Sequence, residues 1–159
     1  MLLCRQVDMK VIFDIKSYRN LIFRYSIIVI FLNIFLSLVQ DIFFKDMSNL
    51  SEKTSVTIAV VFWTGIFAPF FEETLLRGII QRTLEEKTNL SIKVIYVLVA
   101  ILFSFLHLNA YFIPYFLTSL LLSHSYYKSN NTLLVPISIH VIYNLFVLLL
   151  EIIINSLSS

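Results

Sequence analysis

Three short motifs set groups capable of moving a proton inside otherwise apolar stretches of chain. Glu72, Glu73 and Arg77 follow the run Val56 to Phe71. His107 comes late in the run Val94 to Leu108, and His140 and Asn144 fall within Leu133 to Ile154. Ionisable groups at membrane depth are costly, and their presence calls for a functional reason. Glu73 and Arg77 are spaced i,i+4 with the acid N-terminal, the favourable orientation for a helical ion pair. They would neutralise each other. Glu72 is rotated about 100° from Glu73 on a helix and is left without a partner. Such a carboxylate is suited to taking a proton from water and passing it on. His140 and Asn144 are also i,i+4 and share one helix face.

One carboxylate, two imidazoles and an amide form an inventory for hydrolysis. Glu72 would deprotonate a water, while His107, His140 and Asn144 orient it and stabilise the oxyanion. Equally, Glu72, His107 and His140 could hold a divalent metal such as zinc with an open water position. Phe103 stands one turn before His107 and is expected to pack on its ring as support. Each group also has a structural reading: Glu73 and Arg77 as a buried ion pair, and either histidine as an interhelical hydrogen-bonding residue. His124, beside Tyr126 and Tyr127, is read as interfacial and structural. The zinc-protease pattern HExxH and the serine elbow GxSxG are absent, and two glycines cannot build a phosphate loop.

The elements that must carry these residues are membrane helices. The chain has 159 residues, 58% hydrophobic and only 14% charged. Soluble domains carry roughly 25% charged residues, so the composition is that of a membrane protein in contact with a lipid bilayer. A net charge of +2 gives no case for nucleic acid. Cys4 is the single cysteine, which excludes an intrachain disulfide. The pattern predicts an all-α, polytopic transmembrane bundle of about five spans, forming one membrane domain over residues 1–159.

The first span is Leu21 to Val39, where Arg24 can snorkel to the interface and Asn33 can bond across helices. The second is Val56 to Phe71, continuing to about Ile80, with Pro69 free to kink it or release a carbonyl. Residues 81–93 read as a polar linker. The third span is Val94 to Leu108, followed by a tight connection from Asn109 to Pro114. The fourth is Phe116 to Tyr127, then a turn at Lys128 to Asn131, and the fifth is Leu133 to Ile154. The two glycines give no sign of close helix packing. The charged N-terminal stretch does not read as a cleaved signal, so the first run is expected to stay as an anchor. The distribution of Lys and Arg among the loops favours a cytoplasmic N-terminus. On these spans His107 falls late and His140 early, which would leave them about 10 Å apart in depth.

The three motifs, in this order, resemble those of the CPBP intramembrane protease family, which includes CAAX prenyl endopeptidases and bacterial Abi proteins. Glu72-Glu73-x-x-x-Arg77 is similar to EExxxR, Phe103-x-x-x-His107 to FxxxH, and His140-x-x-x-Asn144 to HxxxN. The resemblance covers residues 56–154, taken as the protease core. It implies an endopeptidase acting on a peptide or membrane-protein substrate. Glu72 would be the general base, assisted by His107, with His140 and Asn144 at the oxyanion or a metal and Glu73 and Arg77 in support. It leaves open a metal-free, glutamate-based mechanism and a metal-dependent one. The family's CAAX members have about eight spans and this chain reads as five. Short bacterial members resemble proteins of bacteriocin self-immunity, which would make a bacteriocin a partner and the bacterial plasma membrane the location. The competing expectation is a non-enzymatic immunity protein that sequesters a bacteriocin or shields its receptor.

Overall fold

A computed structural model describes residues 15–43, 56–107 and 112–157. The expected N-terminal tail before residue 15, most of the loop after the first span and the connection around Asn109 lie outside the described residues. Within them every regular element is a helix, and there are five: α1 (Ile15–Phe43), α2 (Ile58–Lys87), α3 (Ile92–Leu106), α4 (Phe112–Lys128) and α5 (Leu134–Leu157). This agrees with the five expected spans. Three segments, Lys16–Val39, Ile58–Lys87 and Leu134–Leu157, are long and apolar enough to cross a membrane by length and composition. The protein is a multi-pass membrane protein.

Helix α3 packs chiefly on α4, and α1 lies against α5 and α4. One apolar cluster joins Ile22 and Val29 of α1 to Leu122 of α4 and Val135 and Ile139 of α5. A second joins Leu76 of α2 to Ile95, Val99 and Phe103 of α3. Outward, α1 exposes Phe23, Phe31 and Phe35, and α2 exposes a stacked row of Trp63, Phe67 and Phe71. Large apolar groups left outside suit a surface bathed by lipid tails, where the backbone is satisfied within each helix.

Helix α2 carries the site, and it is not uniformly α-helical. It begins at Thr57, whose hydroxyl caps the Val60 N–H at 3.3 Å. Two π-helical stretches, Trp63–Phe67 and Thr74–Gln81, interrupt it. A threonine sits in each first turn, and its hydroxyl donates to the carbonyl four residues back: Thr64 to Val60 and Thr74 to Phe70, both at 2.7 Å. Such back-bonding competes with the α-helical ladder and loosens it.

Several boundaries differ from the sequence reading. The linker expected from residue 81 is helical as far as Lys87, held by Gln81–Glu85 and Arg82–Glu86 contacts at i,i+4. Pro114 lies inside α4, in its first turn, where a missing N–H has no intrahelical role. The α4–α5 turn uses Asn130 and Asn131 at φ of 54° and 60°, a left-handed setting that asparagine tolerates. Glycine also matters more than expected. A Cβ on Gly65 would lie 2.8 Å from Leu145 Cδ2, so this glycine lets α2 approach α5 closely.

Candidate active site

The π-register of α2 changes which carbonyl is left free. In the first stretch the Ala68 N–H reaches back to the Trp63 carbonyl, five residues away. By the same spacing the Thr64 carbonyl falls to Pro69, which has no N–H. Asn144 of α5 supplies the missing donor: its Nδ2 lies 2.8 Å from the Thr64 oxygen. One amide proton of Asn144 is therefore structural, and the second remains for the site.

About two turns beyond Thr64, α2 presents its two carboxylates on different faces. Glu73 is wholly buried and its Oε1 accepts twice, from Arg77 Nη1 at 3.2 Å and from His140 Nδ1 at 2.9 Å. The ion pair expected from the sequence is formed, and Glu73 also fixes a ring on another helix. Arg77, equally buried, donates through Nη2 to the Ser119 carbonyl at 2.9 Å and to the Ser119 hydroxyl at 2.7 Å. Its guanidinium carbon lies 5.5 Å from the centre of the Phe103 ring. The charge is thus paired and covered, while Arg77 Nε and Glu73 Oε2 have no hydrogen-bond partner among the described residues.

Glu72 is part-exposed, and its Oε2 has no hydrogen-bond partner among the described residues. Two imidazole nitrogens face it, His107 Nε2 and His140 Nε2, each 3.9 Å away. His107 Nδ1 lies 2.9 Å from the Phe103 carbonyl, and His140 Nδ1 contacts the Glu73 carboxylate. Both partners only accept, so in each neutral ring Nδ1 carries the proton and Nε2 offers a lone pair. Three acceptors therefore converge on one point. At 3.9 Å they are too far for direct hydrogen bonds. A water entering there can donate one proton to Glu72 and the other to an imidazole.

The depth difference expected between His107 and His140 does not arise. Helix α3 has 15 residues, about 22 Å of helix against a hydrocarbon core of about 30 Å. It stops at Leu106, and His107 caps it inside the bundle at the level of Glu72. Its ring is held between Phe103, at a centroid distance of 4.4 Å, and Tyr115 of α4, stacked at 4.2 Å. Phe103 also meets the His140 ring edge-on. His124 lies elsewhere, with Nδ1 2.9 Å from the Tyr25 hydroxyl.

Tyr115 and Ser119 carry no signal strong enough to select them from sequence. For Ser119 the nearest trace is the run of small polar residues on α4, Thr118, Ser119, Ser123 and Ser125, all buried. Asn33, singled out as an interhelical bonding residue, has that role: its Nδ2 donates to Thr118 Oγ1 at 2.9 Å. A cavity of about 250 Å³ joins Glu72, His107, His140 and Asn144 to Asn33 and Tyr115.

The spacing of these groups bears on whether they could share a metal. Donors sharing a tetrahedral zinc at about 2.0–2.1 Å stand about 3.3 Å apart. The Glu72–imidazole separations are 3.9 Å. Among the described residues no three His, Cys, Asp or Glu side chains are gathered as a metal site. The residues as arranged do not fit a shared zinc.

Comparison with known proteins bears on the same segment. The family model described as Type II CAAX prenyl endopeptidase Rce1-like matches residues 54–146, more than half of the chain. No curated protein and no solved structure matches. The matched residues include Glu72, Glu73, Arg77, Phe103, His107, His140 and Asn144.

Proposed function

The chain belongs to the Rce1-like type II CAAX prenyl endopeptidase family, a family of membrane proteases, and from that premise we propose a glutamate-based peptide hydrolysis centred on Glu72. The observation that carries it is the convergence of His107 Nε2 and His140 Nε2 on Glu72 Oε2, each at 3.9 Å, in one cavity. Glu72 takes a proton from a water that one imidazole also orients, and the water oxygen attacks the scissile carbonyl. The free Asn144 amide proton meets the resulting oxyanion. Collapse breaks the C–N bond, and the proton held by Glu72 passes to the leaving amine. Glu73 fixes His140 in the required tautomer, and Arg77 holds Glu73. We assign the protease core to residues 56–154, with a substrate segment entering from the bilayer.

Glu72→Gln keeps shape and polarity but removes the base. It should lower cleavage of a peptide substrate by at least 10²-fold while membrane insertion is unchanged. Full activity in that variant sinks the mechanism. Because the three groups are spaced for water, activity should also survive dialysis against a strong zinc chelator. Loss on chelation and recovery with zinc would show instead that the side chains close around a metal.

The setting we propose is self-protection from a bacteriocin in a bacterial plasma membrane, on the resemblance of the three motifs to those of bacterial members of this family. The same variant separates the two routes to protection. A proteolytic role requires that Glu72→Gln abolish resistance, whereas a protein that only shields or sequesters keeps it. The Lys and Arg distribution supports a cytoplasmic N-terminus. Reporter fusions at residue 1 should be active only in the cytoplasm, and external activity would reverse the orientation.

A further inference from the structure

Helix α1 lies outside the matched residues 54–146, yet through Asn33 it lines the same cavity as Glu72, His107, His140 and Asn144. Asn33 is only 8% exposed. Its Nδ2 donates to the Val29 carbonyl and to the Thr118 hydroxyl, both at 2.9 Å. A carbonyl cannot donate, so the group facing Val29 must be the amide nitrogen, and the orientation of the side chain is fixed. Both of its protons are then committed. What Asn33 has left to offer the cavity is its carbonyl oxygen, which can only accept.

Asn144 is the complementary case. One of its protons goes to the Thr64 carbonyl at 2.8 Å, and the other is available to the same cavity. Two asparagines on different helices, α1 and α5, thus each donate to a backbone carbonyl, but Asn33 has only an acceptor left for the cavity whereas Asn144 still has an N–H to donate. That pair matches the N–H and C=O of a peptide backbone.

Resting on the protease reading, we propose that Asn33 is a positioning residue that accepts a hydrogen bond from a backbone N–H of the substrate, close to the bond that is cut. The ligand class is a peptide segment whose backbone is unwound at that point, since an N–H in a continuing helix is already used. An ester at the same place offers no N–H and leaves the acceptor without that partner, a loss that is costly. Asn33 would then set which backbone position lies at Glu72, without touching the water or the scissile carbonyl.

The experiment uses the full chain in lipid nanodiscs and fluorescein-labelled peptides of about 20 Leu and Ala residues. One peptide is all-amide, and the others have successive single amides replaced by esters. Binding is read by fluorescence anisotropy and cleavage by mass spectrometry. For the wild-type chain, one ester position should weaken binding about tenfold. Asn33→Leu should weaken binding of the all-amide peptide by a similar factor and become indifferent to that ester. Asn33→Gln retains both amide donors and the acceptor oxygen, should keep an ester discrimination, and serves if the leucine variant fails to fold. Equal binding of the all-amide peptide and every ester analogue by the wild-type chain overturns the proposal. So does an ester effect that persists unchanged in Asn33→Leu. An ester effect lost in Asn33→Leu without any cleavage supports the Asn33 contact and fails the protease reading alone. Cleavage without an ester effect does the reverse.

Discussion

Glu73 does two jobs with one oxygen. It takes a charged hydrogen bond from Arg77 and a second from the ring it orients, that of His140. A carboxylate behind an imidazole fixes the tautomer and ring setting, and losing such a partner typically costs 10–100-fold in activity. Glu73→Gln should therefore lower kcat by about that factor with KM nearly unchanged, measured on any peptide the wild-type chain cleaves. A KM effect alone would place Glu73 with the substrate instead. Arg77 has a different weight. Its guanidinium is wholly buried against Ser119 and Phe103, and truncating it would strand the Glu73 charge, a loss of about 3–5 kcal/mol for a buried pair. Glu72 is the opposite case, part-exposed, with its Oε2 facing two imidazole nitrogens rather than bonded to a cation. Two adjacent acids of the same type thus differ because one faces the packed interior and the other faces the cavity.

Helix α2 places those two acids, and its contact with α5 is set at Gly65. A Cβ there meets Leu145 Cδ2 at 2.8 Å and Leu148 Cδ1 at 3.3 Å. Alanine can be absorbed by a shift of the flexible leucine ends. Gly65→Val cannot, and overpacking of this kind costs about 1–3 kcal/mol. The valine variant should show a lower midpoint of thermal unfolding in detergent, with the alanine variant close to wild type. Equal midpoints for valine and wild type would mean that α2 and α5 are not in this contact. The polar face of α2 runs at i,i+4 through Glu73, Arg77, Gln81 and Glu85. It ends where Gln81 Nε2 donates to Glu85 at 2.9 Å near the polar end of the bundle. One helix therefore carries a buried polar stripe on one side and an exposed aromatic stack on the other.

In the whole molecule, what could be read from sequence were the relations that lie along one helix. The Glu73–Arg77 pair and the Phe103–His107 packing follow from i,i+4 spacing alone, and the apolar runs located all five helices. Relations between helices were hidden. The bond from His140 to Glu73 depends on how α5 sits against α2, and the stacking of Tyr115 on His107 depends on where α3 stops. The Thr64 carbonyl was reachable only in part: Pro69 announced a missing donor, but the π-register decided which oxygen lost it. That register has a geometric consequence. A π turn is equivalent to one residue inserted in an α-helix, a phase offset of about 100°. Helix α2 contains two such offsets, so no single periodic stripe has to serve its whole length. The aromatic side meant for lipid and the polar side meant for Glu73 and Arg77 can be phased separately, by residue count within one rod, and their bearings are adjustable by a single insertion or deletion that leaves every side chain chemically intact.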